Sequence, residues 1–439
     1  MKRVAVVGFG YIGSVIGAVL ADRGCQVVGI DLNQGLVDAV NRGECPIPEP
    51  GIDDLVAKTV AAGRLSASTD MAAVAGADVV VVTVGTPLSD EYDADLSHIR
   101  AACMGIAPHL HDGQVLMVKS TVPPGVTRRM AEEVLLPAAR IHVAFSPERL
   151  AEGAAIREFQ TLPIVVGGMD RAATAAAAAF WRSVLDVEVI EVASPETAEL
   201  VKLACNQWID LNIALAHELA KLADALPWPI DTLEVIRGAN SLKKGQHYVN
   251  ILTPSNGVGG YCLTKDPWFI DALGKSNGLD LRLSAAGRTV NDGMPAYVAD
   301  AVDLFLKGRG KKAAKIAVLG YSFKTNSGDC RFTPVDPLLA ALRAAGHDDL
   351  HIADPMVSDA EAAHHGVVLT RDLDAALDGA DAVIINAAHD AFKALGVADF
   401  SRLLSPGALI YDGRIYYDRA MIDALTASGF VYRGVGRSI

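Results

Sequence analysis

An apolar run, Val4-Ala5-Val6-Val7, ends at Gly8-Phe9-Gly10-Tyr11-Ile12-Gly13 and passes into a helix-like stretch closing near Arg23-Gly24. A second apolar run, 26–30, follows at once and stops on Asp31. Short continuous apolar runs bounded by turn residues read as strands covered on both faces, and their alternation with helical patterns reads as βαβ units of a parallel sheet. Further strands are predicted at 78–84, 115–118, 141–145, 164–167 and 188–192, with an Ala-rich helix over 171–185. Ser194-Pro195 then supplies an N-cap with proline at the first helical position. The helix it starts is long, with Val201, Cys205, Trp208, Leu215, Leu219 and Leu222 recurring at helical spacing. Residues 227–300 read as more helix, with no strand pattern. Past Lys311, residues 315–324 begin a second strand-turn-helix pattern, with later strands at 351–355, 382–386 and 408–411. The expected fold is α/β: two Rossmann-like, doubly wound domains (1–193 and 311–439) joined by a long central helix and a helical middle domain, 194–310.

Composition narrows the function. A chain of 439 residues exceeds what one core serves, and 51% apolar with 21% charged residues reads as soluble and core-rich. A net charge of −13 argues against a nucleic-acid surface, while leaving room for a local basic pocket. The six cysteines stand singly, with no CxxC and no zinc-type His/Cys spacing, so no metal is expected and a reducing cytoplasm is. The uncharged run 4–21 after Lys2-Arg3 imitates a signal or membrane segment, but Gly8, Gly10, Gly13 and Gly17 within it favour a glycine turn, and no membrane is expected.

That turn has the context a dinucleotide site needs: strand before, helix after, and an acid closing the second strand. Gly8, Gly10 and Gly13 would let the backbone approach a pyrophosphate at the helix N-terminus, and Asp31 would accept from a ribose diol. Leu32 after Asp31, with no adjacent arginine, favours NAD over NADP. Ligands of open α/β sheets lie off the carboxyl ends of strands, which places Thr86, Thr121, Glu148 and Glu152 at the ligand edge. Lys202 and Asn206, four apart on the long helix, point the same way. The stretch Gly257-Val258-Gly259-Gly260-Tyr261-Cys262-Leu263-Thr264-Lys265-Asp266 sets one cysteine among uncovered backbone amides, with a cation three residues on that would favour the nucleophilic thiolate. A Gly-rich turn around a buried thiol is the plainer alternative.

Together with Gly85-Thr86-Pro87, Lys119-Ser120-Thr121-Val122-Pro123, Pro147-Glu148, Glu152-Gly153, residues 199–206, residues 320–324 with Arg331, and Asp412-Gly413-Arg414, these motifs resemble the nucleotide-sugar 6-dehydrogenase family end to end. The resemblance implies an NAD-binding first domain, dimerisation through the long helix, and a C-terminal domain holding the nucleotide of a UDP-sugar. The reaction implied is oxidation of the sugar C6 alcohol to a carboxylate by two NAD and one water, through a Cys262 thiohemiacetal and thioester. Lys202 and Asn206 would stabilise the oxyanion, and Asp266, Thr121 and Glu148 would position and activate water. Gly8, Gly10, Tyr11, Ile12, Gly13, Asp31, Thr86, Thr121, Glu152 and Arg331 would meet the cofactor. Glu148, Leu150, Glu152, Lys202, Asn206, Tyr248, Asn250, Gly259, Cys262, Phe323, Lys324 and Arg414 would meet the substrate, Arg414 with a planar fork. Lys265 is open between substrate contact and solvated charge.

The substrate branches are mixed here. Pro147-Glu148-Arg149-Leu150, residues 249–252 and residues 266–270 resemble the UDP-N-acetylhexosamine type; Tyr261-Cys262, Lys265-Asp266 and Asp412-Gly413-Arg414 look more like the UDP-glucose type. Thr264, Tyr248 and Phe332-Thr333 depart from the usual proline, arginine and Glu-Ser. The balance leans to a UDP-N-acetylhexosamine, with UDP-glucose next and GDP-mannose behind. The alternatives from other classes are a non-catalytic nucleotide-sugar binder and a two-electron hydroxyacid dehydrogenase, neither of which needs Cys262, Lys202 and Asp266 together.

Overall fold

The computed structural model describes residues 1–89, 92–311 and 313–437. They form two compact units, Met1–Asn206 with Trp268–Asp280, and Gln207–Pro267 with Leu281–Ile439.

The first unit is built on an eight-stranded sheet. Its strands are β1 (Arg3–Val7), β2 (Gln26–Ile30), β3 (Leu65–Ser68), β4 (Val79–Val82), β5 (Val115–Val118), β6 (His142–Phe145), β7 (Ile164–Gly168) and β8 (Val189–Glu191), in the order β3-β2-β1-β4-β5-β6-β7-β8. All neighbours are parallel except β6 and β7. Val4 and Val6 pack into one core cluster and Ala5 and Val7 into another, so β1 is covered on both faces. That double coverage is why it is continuously apolar, each fully buried valine being worth roughly 1.5 to 3 kcal/mol. The order reverses between β1 and β4, and the crevice at their carboxyl ends is where a sheet of this kind takes its ligand. The run at 78–84 gives only four strand residues, because Thr83 already turns its hydroxyl onto the Gly8 carbonyl at 2.5 Å. Edge strand β3, Leu-Ser-Ala-Ser, lacks an apolar run and gave no signal.

The second unit holds a five-stranded, all-parallel sheet of β11 (Ile316–Leu319), β12 (Leu350–Ala353), β13 (Ala382–Ile385), β14 (Leu409–Asp412) and β15 (Val431–Gly434), ordered β12-β11-β13-β14-β15. Two expectations are corrected here. The helical middle contains a hairpin, β9 (Lys243–Lys244) against β10 (His247–Tyr248), turned by Gly245 at φ 61°. Its residues are polar and exposed, so no alternation betrayed it. The chain leaving β11 does not turn tightly into a helix; the next helix is Val335–Ala344. The intervening loop is instead held by Asp354, whose Oδ2 accepts from the Tyr321 and Ser322 amides at 2.7 and 2.8 Å.

The long helix Pro195–Ala225 starts in the first unit and ends in the second. It buries charged side chains along with apolar ones and leaves several large apolar ones exposed. Glu199, Lys202, Asn206, Asp210 and His217 are buried, while Trp208, Leu215 and Leu222 are 49%, 45% and 56% exposed.

Candidate active site

In the first unit, the glycine loop between β1 and the helix Tyr11–Asp22 is forced by packing. Gly8 sits at φ 87°, and a Cβ on Gly13 would stand 2.1 Å from the Gly8 carbonyl oxygen. A Cβ on Gly10 would meet nothing within 4 Å, so that glycine clears open space at the helix N-terminus. Gly10 is also the N-cap and offers no side-chain acceptor to the first-turn amides. Open room beside unclaimed amides fits a pyrophosphate, so these residues suit NAD. Asp31 closes β2 with Oδ2 accepting from the Phe9 amide at 2.8 Å and Oδ1 from the Asn33 amide at 2.9 Å. It therefore braces the loop. Asp31→Ala is expected to cost NAD binding about 1.5 to 3 kcal/mol per charge-assisted bond lost. Calorimetric titration of NAD checks this, with unchanged affinity overturning the ribose role.

The ends of β4, β5 and β6 carry the next residues. Thr86 is buried, its hydroxyl donating to the Thr121 carbonyl at 2.6 Å, which locks the two loops together. Glu148 is buried; Oε1 accepts from the Leu150 amide, and Oε2 lies 3.5 Å from Lys202 Nζ. Lys202 is only 4% exposed and Asn206 is buried beside it on the helix, so Lys202 is not a solvated charge. Tyr11 donates to Glu49, and Glu49 Oε2 also accepts from the Gly153 amide at 2.6 Å, fixing the loop that bears Glu152.

In the second unit, the cysteine loop is packed from below. A Cβ on Gly259 would stand 2.4 Å from Phe323 Cβ, so only glycine lets loop and Phe323 meet. Of the six cysteines Cys262 is the exposed one. Its carbonyl accepts the Asp266 amide at 2.9 Å and so starts the helix Asp266–Ser276. Lys265 and Asp266 are both buried, with Nζ 2.5 Å from Oδ1. Solvated charge is thereby removed as a reading of Lys265, and its ammonium is shared with Asp266. Arg331 belongs to this unit, its guanidinium paired with Asp329 at 2.5 and 2.9 Å and lying 5.8 Å from the Tyr261 ring. Arg414 donates to the backbone carbonyls of Phe323 and Asn386, so much of its fork holds the Phe323-Lys324 loop in place. Burial lowers its guanidinium to about 10. Asn250 is exposed, with its carbonyl accepting from Asn212 Nδ2 at 2.8 Å; Tyr248 stands 62% exposed on the hairpin.

Three supporting residues take their places from distant partners; Lys119 and Glu199 lie in motifs that the sequence already singled out, and Arg288 gave no sequence signal. Lys119 is buried with Nζ donating to the Ser146 and Pro147 carbonyls at 3.0 and 3.3 Å, and burial lowers it to about 7. Arg288 bridges Asp210 at 2.6 Å and the Leu263 carbonyl at 3.2 Å, tying the cysteine loop to the long helix within the second unit. Glu199 accepts the Gly125 and Thr127 amides at 2.7 and 2.8 Å, and burial raises its carboxyl to about 7. A raised folded value means that its stabilising proton is present below the unfolded value of 4.5 and lost as pH rises through about 7. Wild type should therefore lose stability relative to Glu199→Gln between those two pH values. Urea midpoints of both proteins check it, and parallel pH curves would refute it.

No helix among the described residues is long and apolar enough to cross a membrane. Three family models cover the chain: the NAD binding domain of the UDP-glucose/GDP-mannose dehydrogenase family at residues 2–185, its central domain at 196–293 and its UDP binding domain at 317–419. A UDP-N-acetyl-D-mannosamine dehydrogenase of Salmonella typhi is 35% identical over 410 residues, covering 89% of this chain and 94% of that one. Among solved structures, the UDP-D-ManNAc dehydrogenase of Pyrococcus horikoshii superposes with a TM-score of 0.88 at 31% identity, covering 99% of both chains. A UDP-glucose dehydrogenase of Pyrobaculum islandicum reaches the same TM-score at 29% identity, covering 99% and 98%. With its glycine loop, exposed loop cysteine and three matched domains in order, the chain belongs to the UDP-glucose/GDP-mannose dehydrogenase family and is an NAD-dependent nucleotide-sugar oxidoreductase.

Proposed function

We propose that this enzyme oxidises the C6 hydroxymethyl group of a UDP-N-acetylhexosamine to the uronate. The observation that carries the reading is Cys262, the exposed thiol among six, on a glycine loop braced by Phe323 and Arg288. Bound NAD supplies a hydride acceptor for each of two oxidations. Cys262 Sγ adds to the C6 aldehyde to give a thiohemiacetal, and the second oxidation leaves a thioester that water hydrolyses, restoring the thiol. Lys202 and Asn206 donate to the C6 oxyanion; Asp266, Thr121 and Glu148 order the water and take its proton. Residues 1–193 bind NAD. Residues 194–310 carry the cysteine and the dimer contact, and 311–439 hold the UDP moiety through Phe323, Lys324 and Arg414. The N-acetylhexosamine branch is supported by Pro147-Glu148-Arg149-Leu150 and by the mannosamine-type names of the relatives. UDP-glucose is the second reading, favoured by Tyr261-Cys262 and Lys265-Asp266.

The test is NADH yield and product mass with UDP-N-acetylmannosamine, UDP-N-acetylglucosamine, UDP-N-acetylgalactosamine, UDP-glucose and GDP-mannose. Two NADH and one carboxylate per acetylated sugar are expected. One NADH per sugar would overturn the four-electron reaction, and turnover of UDP-glucose alone would overturn the substrate.

The exposed stripe Trp208, Leu215 and Leu222, spaced by seven, supports a homodimer through the long helix. Leu215→Glu should then sediment as a monomer with unchanged helix content; a dimer that persists would refute that interface. Six cysteines with no disulfide are in keeping with a cytoplasmic enzyme.

A further inference from the structure

The second unit gathers a thiol, an imidazole and two carboxylates from three separate stretches of chain. Cys330 lies in the loop after β11 and is 1% exposed. Glu361, on the helix Asp359–His364, and His365 at its C-cap are four apart and share one face. One ligand atom from each of Cys330, Glu361 and His365 lies within 4.8 Å of the others. Cys330 Sγ is 3.8 Å from Glu361 Oε1, and Asp336, in the first turn of the helix Val335–Ala344, brings Oδ2 to 3.7 Å from His365 Nδ1. Donor atoms around a tetrahedral ion with bonds of about 2.0 to 2.3 Å stand roughly 3.3 to 3.8 Å apart, so the Cys330–Glu361 separation suits a shared ion. The other Asp336 oxygen accepts from the buried Tyr321 hydroxyl at 2.7 Å, which fixes Asp336 as the kind of outer carboxylate that orients a ligating imidazole. A sulfur-nitrogen-oxygen donor set selects a borderline-soft divalent ion over magnesium or calcium, which take oxygen.

We propose that Cys330, Glu361 and His365 form a site for a zinc-class divalent cation, with Asp336 beside His365 as an outer partner, separate from the cysteine loop that carries the reaction. The Cys330 thiol proton passes to solvent as the sulfur-metal bond forms. The ion clips the loop bearing Arg331 to two helices, so its effect is on stability and loop order.

The full-length enzyme, stripped with chelator, is titrated calorimetrically with zinc chloride and, separately, with cobalt chloride under optical absorption. One equivalent of zinc is expected, together with a sulfur-to-cobalt charge-transfer band that Cys330→Ser removes and Cys262→Ser retains. Glu361→Gln, at an exposed position, should weaken zinc at least about 10-fold without altering the unfolding midpoint of the stripped protein, and His365→Ala, at a half-buried one, should weaken zinc at least as much. A band that survives Cys330→Ser, or zinc affinity unmoved by both helix variants, would overturn the site.

Discussion

Replacing Cys262 by alanine is expected to abolish carboxylate formation while leaving NAD affinity unchanged. The thiol is exposed on a loop whose shape is set elsewhere: by Gly259 against Phe323, by Arg288 on the Leu263 carbonyl, and by the Cys262 carbonyl receiving the Asp266 amide. Alanine preserves all of these contacts and removes only the sulfur, so binding and folding should survive. A nucleophile deleted from an otherwise intact site typically costs at least about 10³-fold in kcat. Steady-state turnover beside an NAD titration separates the two effects. Wild-type turnover in the variant would eliminate the covalent route altogether.

The second large effect is at Lys202. Its ammonium and the Glu148 carboxylate are both buried and 3.5 Å apart, so Lys202→Met leaves a carboxylate buried without its cation. Breaking such a pair costs about 3 to 5 kcal/mol of stability, and loss of an oxyanion donor costs about 10²- to 10³-fold in kcat. The two losses are separable. Lys202→Met with Glu148→Gln removes the stranded charge and should regain most of the stability, yet not the turnover. Urea unfolding and kcat measured on the single and double variants check this, and recovery of turnover in the double variant would show that Lys202 serves only to neutralise Glu148.

The strands at 4–7, 26–30, 115–118 and 382–385 were legible because strands covered on both faces must be apolar along their whole length, a local property. The glycine turn, Asp31 and the cysteine loop were legible for a related reason, since tight turns and close backbone approach restrict residue type at neighbouring positions. Strand β3 and the hairpin β9–β10 were not, because edge and exposed strands carry no burial pattern.

What the sequence alone determined was the alternation of strand and helix, the glycine turn after the first strand and the family, all set by periodicity and by residues adjacent in the chain. Only the tertiary structure decided that the long helix buries Lys202, Asn206 and Asp210 while exposing Trp208, Leu215 and Leu222. It alone decided that Lys265 pairs with Asp266, that Arg414 holds the Phe323 loop, and that Cys330, Glu361 and His365 converge. The physical reason is that burial and partnership of a charged group depend on what distant segments bring to it, and such contacts leave no period along the chain.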